Sequence, residues 1–293
     1  MSVTISAALV KTLRDRTSCG MMECKRALEE AQGDIEKAVE ILRKSGHAKA
    51  DKKTGIAAEG IIVGLLSTDK KLGVLIEVNC QTDFVARDHS FLSFAQSVAE
   101  KALESKSATV DALLAQKLNS TETIEEARRG LVAKIGENIQ IRRLSLLQSK
   151  HQLVSYIHNG RIGAMLDLEG GDESLGKDIA MHIVASNPLV VNPSEISQEL
   201  IDKEKEIFSA QAATSGKPAN IIEKMVEGRI KKYLDEISLM GQPFVKNPDE
   251  TVGKLLENAK AKVTTFVRFA VGEGIEKKVE NFAEEVMAQV KGS

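Results

Sequence analysis

The sequence predicts an α+β fold, and three observations carry that reading. Short apolar runs alternate with a period of two at Ile61-Val63-Leu65 and at Val74-Ile76-Val78. Between and after them, apolar residues recur every three to four positions, the helical period. The order strand, polar turn, helix then returns. "GVLIEV" at 73–78 with "FAQSVA" at 94–99 is echoed by "GAMLDL" at 163–168 with "IAMHIV" at 179–184, and Glu77 is matched by Asp167 between apolar neighbours. A two-part core of similar halves is expected, a two-lobed body rather than a repeating array.

Residues 1–46 read as three short helices. Ile5, Leu9 and Leu13 line the first; Gly20 breaks the chain before "MMECKRALEEA"; Gly33 ends the second helix and Asp34 caps the third. Ile35, Ala38, Val39 and Leu42 keep the helical period until Gly46, which is read as the stop. So small a unit has little core and needs something to dock on. Residues 47–59, "HAKADKKTGIAAE", read as a basic, solvated linker.

The first half of the core is assigned to 60–148. It holds a hairpin turning at "TDKKLG", the polar turn "TDFVAR" and a helix through Phe91, Ala95, Val98 and Ala102. Two further helices follow, the second ending at Gly136, and then a strand begins at Ile139 and Ile141. The second half is assigned to 149–193 and 245–274, with a helix over 249–262 and a strand through Val267, Phe269 and Val271. Between its two pieces, 194–244 reads as an antiparallel helical hairpin. It starts at Pro193-Ser194, carries the narrow stripe Ile196, Leu200, Ile207 and returns through Ile222, Met225, Tyr233 and Ile237. A stripe that narrow projects into solvent or pairs with a second copy. Val279, Phe282, Ala283, Val286 and Val290 mark a helical module at 275–293.

Composition bounds the function. Over 293 residues, 40 Lys+Arg face 42 Asp+Glu, a net charge of −2, which lacks the basic excess that phosphate contacts need. With no Trp and two Tyr there are few platforms for stacking bases, so direct nucleic-acid binding is not expected. No apolar run reaches the roughly 18 residues that suggest a membrane span. The basic, Ser/Thr-rich start resembles a transit peptide, but its periodicity runs on into the first helical unit. Three cysteines without metal-site spacing fit a reducing cytoplasm. No metal or cofactor is expected.

One stretch imitates an enzyme. "GDESLGKD" at 171–178 follows the phosphate-loop spacing G-x-x-x-x-G-K-[ST] until Asp178 stands where a hydroxyl should reach magnesium. Asp172 and Glu173 would also place negative charge where amides should cradle phosphate. No His sits in a H-E-x-x-H pattern and no Ser in a G-x-S-x-G elbow, so covalent chemistry is not expected. His182 reads as a partly buried, hydrogen-bonded helix residue, and His158 sits at the tip of the second hairpin. For Met21 and Met22 two readings stand, core filling or an adaptable contact surface, since neighbours on a helix point about 100° apart. Phe84 is sharper. It lies in a polar turn outside the apolar stripe of the following helix, and an exposed Phe forgoes burial worth about 1.5–3 kcal/mol unless a partner supplies the pocket.

Several long motifs then resemble one family. "TSCGMMECKRALEEAQGDIEKAVEILRKSG", "EVNCQTDFVARD", "LVAKIGENIQIRR", "YIHNGRIG", "MVEGRIKK" and "GQPFVK" are collinear with bacterial translation elongation factor Ts. The resemblance implies a guanine-nucleotide exchange factor that binds elongation factor Tu in its GDP-bound and nucleotide-free forms. It also implies a ubiquitin-associated-like N-terminal domain and a dimerisation role for the coiled-coil hairpin, leaving a homodimer open. By motif, the partner-contacting residues are Met21 and Met22, Asp83 and Phe84, Ile135 and Gly136, and His158, with Asp83-Phe84 reaching the partner's magnesium site. The family's Thr-Gly-Ala-Gly before the Met pair reads Thr17-Ser18-Cys19-Gly20 here, so Ser18 stands where a glycine is usual. Against this, a helical-hairpin scaffold without exchange activity is the alternative.

Overall fold

Two three-stranded antiparallel sheets lie face to face and each carries helices on its outer side. The computed structural model describes residues 5–17, 19–50, 52–213 and 218–276. The expectation for Ser18, and from residue 277 on the expected C-terminal helix, lie outside these residues.

Helices α1 (Ala7–Thr17), α2 (Met21–Glu30) and α3 (Ile35–Ala50) enclose a small core of their own around Leu13, Cys24, Leu28 and Ala38. Asp34 caps α3 by accepting the Lys37 N–H at 3.1 Å. Gly46, however, does not stop α3, which runs on to Ala50. The glycine serves a close approach instead, because a Cβ there would lie 3.1 Å from the Ala133 Cβ. The stretch 47–59 is therefore not a free tether throughout. Its first four residues are helical, and Ala50, Ala57 and Ala58 are buried.

The first sheet takes β1 (Glu59–Leu66), β2 (Leu72–Cys80) and β3 (Gln140–Gln148) in that spatial order, with a single-turn α4 (Asp83–Ala86), α5 (His89–Ser105), α6 (Val110–Leu114) and α7 (Ile124–Ile135) between β2 and β3 along the chain. Val74, Ile76 and Val78 pack with Phe91, Ala95 and Val98 of α5. The second sheet takes β4 (Gln152–His158), β5 (Ile162–Glu169) and β8 (Lys262–Ala270), with α8 (Glu173–Ser186) outside it. Between β5 and β8 the chain makes a 3₁₀ turn at Pro193–Glu195, α9 (Gln198–Ala213), α10 (Ala219–Ile237), β6 (Pro243–Phe244), β7 (Asn247–Thr251) and α11 (Val252–Asn258). The β6–β7 hairpin occupies part of the stretch read as helix, which is shorter than predicted.

The halves are not separate lobes. Ile62 and Leu75 of the first sheet meet Leu153, Met165 and Phe269 of the second in a shared apolar layer. Hence β2 is buried on both faces rather than alternating. Gly73 permits the approach, since a Cβ on it would sit 2.5 Å from the Met165 Sδ.

The repeat is visible in fine detail. The register slips after Glu77, which faces Arg143, and again after Asp167, which faces Thr265. Each slip leaves one unpaired residue on the neighbouring strand, Arg142 or Thr264, and each of these donates to the acid: Arg142 Nη1 to Glu77 at 3.1 Å, Thr264 Oγ1 to Asp167 at 2.7 Å. Each bulge places a donor side chain on a buried carboxylate.

In the hairpin, Phe208 meets Tyr233 edge-on at 6.3 Å, while Ile207, on the stripe read as projecting or pairing with a second copy, faces solvent. Ile196 is buried but precedes α9.

Candidate functional site

The polar turn after β2 holds its aromatic ring outward. Thr82 is extended, with φ −119° and ψ 155°, and its Oγ1 accepts the Val85 N–H at 3.4 Å, capping the four-residue α4. Neighbouring positions on that turn diverge by about 100°. Val85 and Ala86 therefore pack against the core of the first half, whereas Phe84 is 82% exposed. Asp83 lies beside it and pairs with Arg87 at 3.1 Å. Upstream, Cys80 is fully buried and its Sγ donates to the Thr82 carbonyl at 3.2 Å. Burial pushes its thiol up to about 12, so it stays a neutral packing group.

A four-residue helix cannot hold itself, because helix nucleation is unfavourable. Glu137 supplies what is missing. Its Oε2 accepts the Gln81 and Thr82 N–H groups at 3.1 and 3.0 Å, and its Oε1 accepts the Thr82 hydroxyl at 2.7 Å. Glu137 follows Gly136, the left-handed cap of α7 with φ 87°, whose N–H returns to the Val132 carbonyl. No atom lies within 4 Å of a Cβ built on Gly136, so backbone conformation alone favours glycine there. Asn138 completes the latch. Its N–H donates to Gln81 Oε1 and its Nδ2 to the Gly55 carbonyl, both at 2.8 Å. The Ile135-Gly136 corner is thereby fixed against the Phe84 turn. Glu137 escaped the sequence reading because its partners lie more than fifty residues away. The "KIGEN" run, a helix-ending Gly followed by two capping-type side chains, was the available signal.

His158 joins the same end of the molecule. It precedes a tight turn with Asn159 at φ 50° and Gly160 at φ 68°, closed by the Arg161 N–H on the His158 carbonyl at 2.9 Å. The Gly160 carbonyl accepts the Ile62 N–H at 2.7 Å and Arg161 pairs with Glu59 at 2.7 Å, which pins the tip to β1. A groove of about 560 Å³ runs between the tip and the Phe84 turn, lined by Ile61, Asp83, Ala86, Asn159 and Arg161. The His158 ring is exposed, with the Tyr156 hydroxyl 3.1 Å from its Nδ1.

Met21 and Met22 are exposed by 58% and 62% and line a second groove, formed with Val10, Lys11 and Arg14 of α1. Of the two readings, core filling fails. The structure thus brings Asp83, Phe84, Ile135, Gly136 and His158 to one end of the sandwich and sets Met21 and Met22 on a separate patch of α2.

The remaining candidates are structural. In 171–178, α8 already begins at Glu173, capped by Asp172, whose Oδ1 accepts the Leu175 N–H at 2.8 Å. Gly176 is therefore inside a helix and pressed on Val154, and Lys177 pairs with Glu173 at 3.0 Å, so the segment forms no phosphate-cradling loop. His182 is fully buried rather than partly so. Its Nδ1 accepts the Val245 N–H at 3.1 Å and its Nε2 meets Gln242 Oε1 at 2.9 Å, which fixes the neutral tautomer. Burial lowers its pKa, against the opposing effect of Gln242. Among the described residues, no cluster of three or more His, Cys, Asp or Glu is placed to hold a metal, and no helix is long and apolar enough to cross a membrane.

Comparison with known proteins gives a consistent result. A family model described as Elongation factor TS matches residues 81–273. A protein of Thioalkalivibrio sulfidiphilus named Elongation factor Ts is 60% identical, covering 99% of this chain and 100% of that protein. Proteins of the same name from Methylococcus capsulatus (58% identical, covering 99% and 100%) and Legionella pneumophila (54%, covering 98% and 99%) align almost as fully.

Proposed function

The chain belongs to the elongation factor Ts family and is a guanine-nucleotide exchange factor for elongation factor Tu; we propose that it releases GDP by inserting Phe84, with Asp83 beside it, next to the partner's magnesium and phosphate site. The observation that carries this is the 82% exposure of an aromatic ring on a turn that is capped and latched. A GTPase grips its nucleotide through phosphate contacts and a magnesium ion that has few protein ligands. A ring wedged beside that ion, with a carboxylate alongside, shifts its ligands without touching the base. Accelerating release a thousandfold needs about 4 kcal/mol of differential binding, within reach of one aromatic anchor plus lost ion contacts. The chain performs no covalent chemistry and needs no cofactor in this scheme.

The other surfaces take supporting parts. His158 and the Ile135-Gly136 corner flank the inserted turn, and Met21 and Met22 supply docking affinity through flexible, polarizable side chains. The projecting α9–α10 hairpin, with Ile207 and Ile221 47% and 41% exposed, is a surface for a second copy. Sedimentation of Ile207→Glu/Ile221→Glu beside the unaltered chain tests that pairing; the same mass for both would end it. A scaffold without exchange activity lacks support in the family assignment.

Linkage supplies the test. Whatever the factor removes from GDP affinity, GDP must remove from factor affinity. Titrating GDP into the complex of this chain with nucleotide-free elongation factor Tu is expected to dissociate it. A complex indifferent to saturating GDP would leave only the scaffold.

A further inference from the structure

We propose that Glu137 is a positioning residue for the exchange reaction: its carboxylate presets the Phe84 turn and ties it to the Ile135-Gly136 corner. This rests on the reading of Phe84 above and adds a residue that touches neither nucleotide nor magnesium. The first N–H groups of any helix lack internal partners, and α4 is too short to tolerate that loss. The Thr82 hydroxyl accepts the Val85 N–H while giving its own proton to Glu137 Oε1 at 2.7 Å, and Oε2 takes the two preceding N–H groups. Side chain and turn are 55 residues apart in sequence, so the latch transmits position from the end of α7 to the ring. A ring ordered before contact loses less freedom on insertion, which is how preorganisation raises effectiveness without adding contacts.

The chemistry predicts a ranking. A carboxylate offers two acceptor oxygens for three donors. Gln at 137 keeps one oxygen for the N–H pair and turns a donor toward the Thr82 hydroxyl, so it retains part of the latch; Ala retains none.

The experiment follows release of a fluorescent GDP analogue from elongation factor Tu, at saturating amounts of the full chain, for Glu137→Ala, Glu137→Gln, Phe84→Ala and the Glu137→Ala/Phe84→Ala pair. Glu137→Ala is expected to slow release roughly tenfold, the effect of losing a charged hydrogen-bond partner, with Glu137→Gln between it and the unaltered chain. In the Phe84→Ala background the Glu137 substitution should add less than about twofold, because the ring it positions is gone. Amide hydrogen exchange at Thr82 and Val85 in the free chain should rise in Glu137→Ala. Release by Glu137→Ala at the unaltered rate, or an equal slowing in both backgrounds, overturns the proposal. If the Ala variant does not fold, Glu137→Gln alone decides: slower release with faster Val85 exchange supports the role, and unchanged values reject it. If Phe84→Ala releases GDP normally, the insertion reading itself fails, a result distinct from failure of Glu137→Ala alone.

Discussion

The two halves of the core use the same strand, the same bulge and the same buried acid, yet they part company one step later. After β2 the chain spends residues 81–88 reaching α5, and in that stretch it builds a capped turn, a latched corner and an exposed Phe84. After β5 it spends only 170–172 before α8, through Gly170, Gly171 and the cap Asp172, and offers a polar surface. The bulge and its hydrogen-bonded acid recur in both halves, while only the connection after β2 exposes an aromatic ring. Loops on a rigid frame are where binding residues concentrate, and here the frame supplies its own control.

Isosteric neutralisation of the two acids sharpens that comparison most. Glu77 is fully buried with two charged partners, Arg142 and Arg143, and one backbone donor, the Gly272 N–H at 2.8 Å. Asp167 has Ser149 and Thr264 hydroxyls at 2.5 and 2.7 Å and His151 3.5 Å away. Glu77→Gln takes the shared carboxylate from two guanidinium groups, which keep Glu273 and the Ala270 carbonyl as partners, and is expected to cost about 3–5 kcal/mol in urea unfolding. Asp167→Asn is expected to cost about 1–3 kcal/mol; equal losses would mean the halves are held alike. Burial pushes the Glu77 carboxyl up, but the Gly272 N–H, Asn79 and Arg143 outweigh it and hold it below its ordinary 4.5. Its contribution is therefore full above that value and lost as pH falls through the lower folded value.

The second half carries its own pH signature. His182 has a lowered pKa, so below 6.5 the unfolded chain binds a proton that the folded chain resists. Stability should fall as pH drops from 6.5 toward the folded value, by at most about 1.4 kcal/mol per pH unit for one proton. His182→Gln should flatten that slope in unfolding curves taken at pH 5.5 and 7; an unchanged slope assigns it elsewhere.

The smallest effect separates the loops by function. Thr82→Ala and Asp172→Ala each remove a helix cap worth about 1 kcal/mol. Thr82→Ala also loses the hydroxyl's 2.7 Å bond to Glu137 and should unfold somewhat more easily, but only Thr82→Ala slows GDP release. Slowing by both would place the effect in general stability.

How much of this was legible follows from distance along the chain. The strand repeat, the matched acids, the outward Phe84 and the caps Asp34 and Gly136 rest on neighbouring residues, and local pattern reveals them. The two-sided burial of β2 was written in its nearly continuous apolar run, but reading only Val74, Ile76 and Val78 hid Leu75, whose partner Met165 lies in the other sheet. Gly46 was misread because a glycine that admits Ala133 of another helix looks in sequence like one that ends its own. That Phe208, one position beyond Ile207, packs on Tyr233 of the returning helix is a contact between distant residues that local pattern does not show. Glu137 needed three partners at 81 and 82 to acquire its role.

The central claim is that an outward aromatic on a pre-ordered turn displaces the nucleotide. Stopped-flow release of GDP from elongation factor Tu at saturating Phe84→Ala tests it most directly. A rate lower by roughly thirtyfold or more, as expected for loss of a dominant aromatic anchor, agrees with the account; a rate equal to that of the unaltered chain contradicts it.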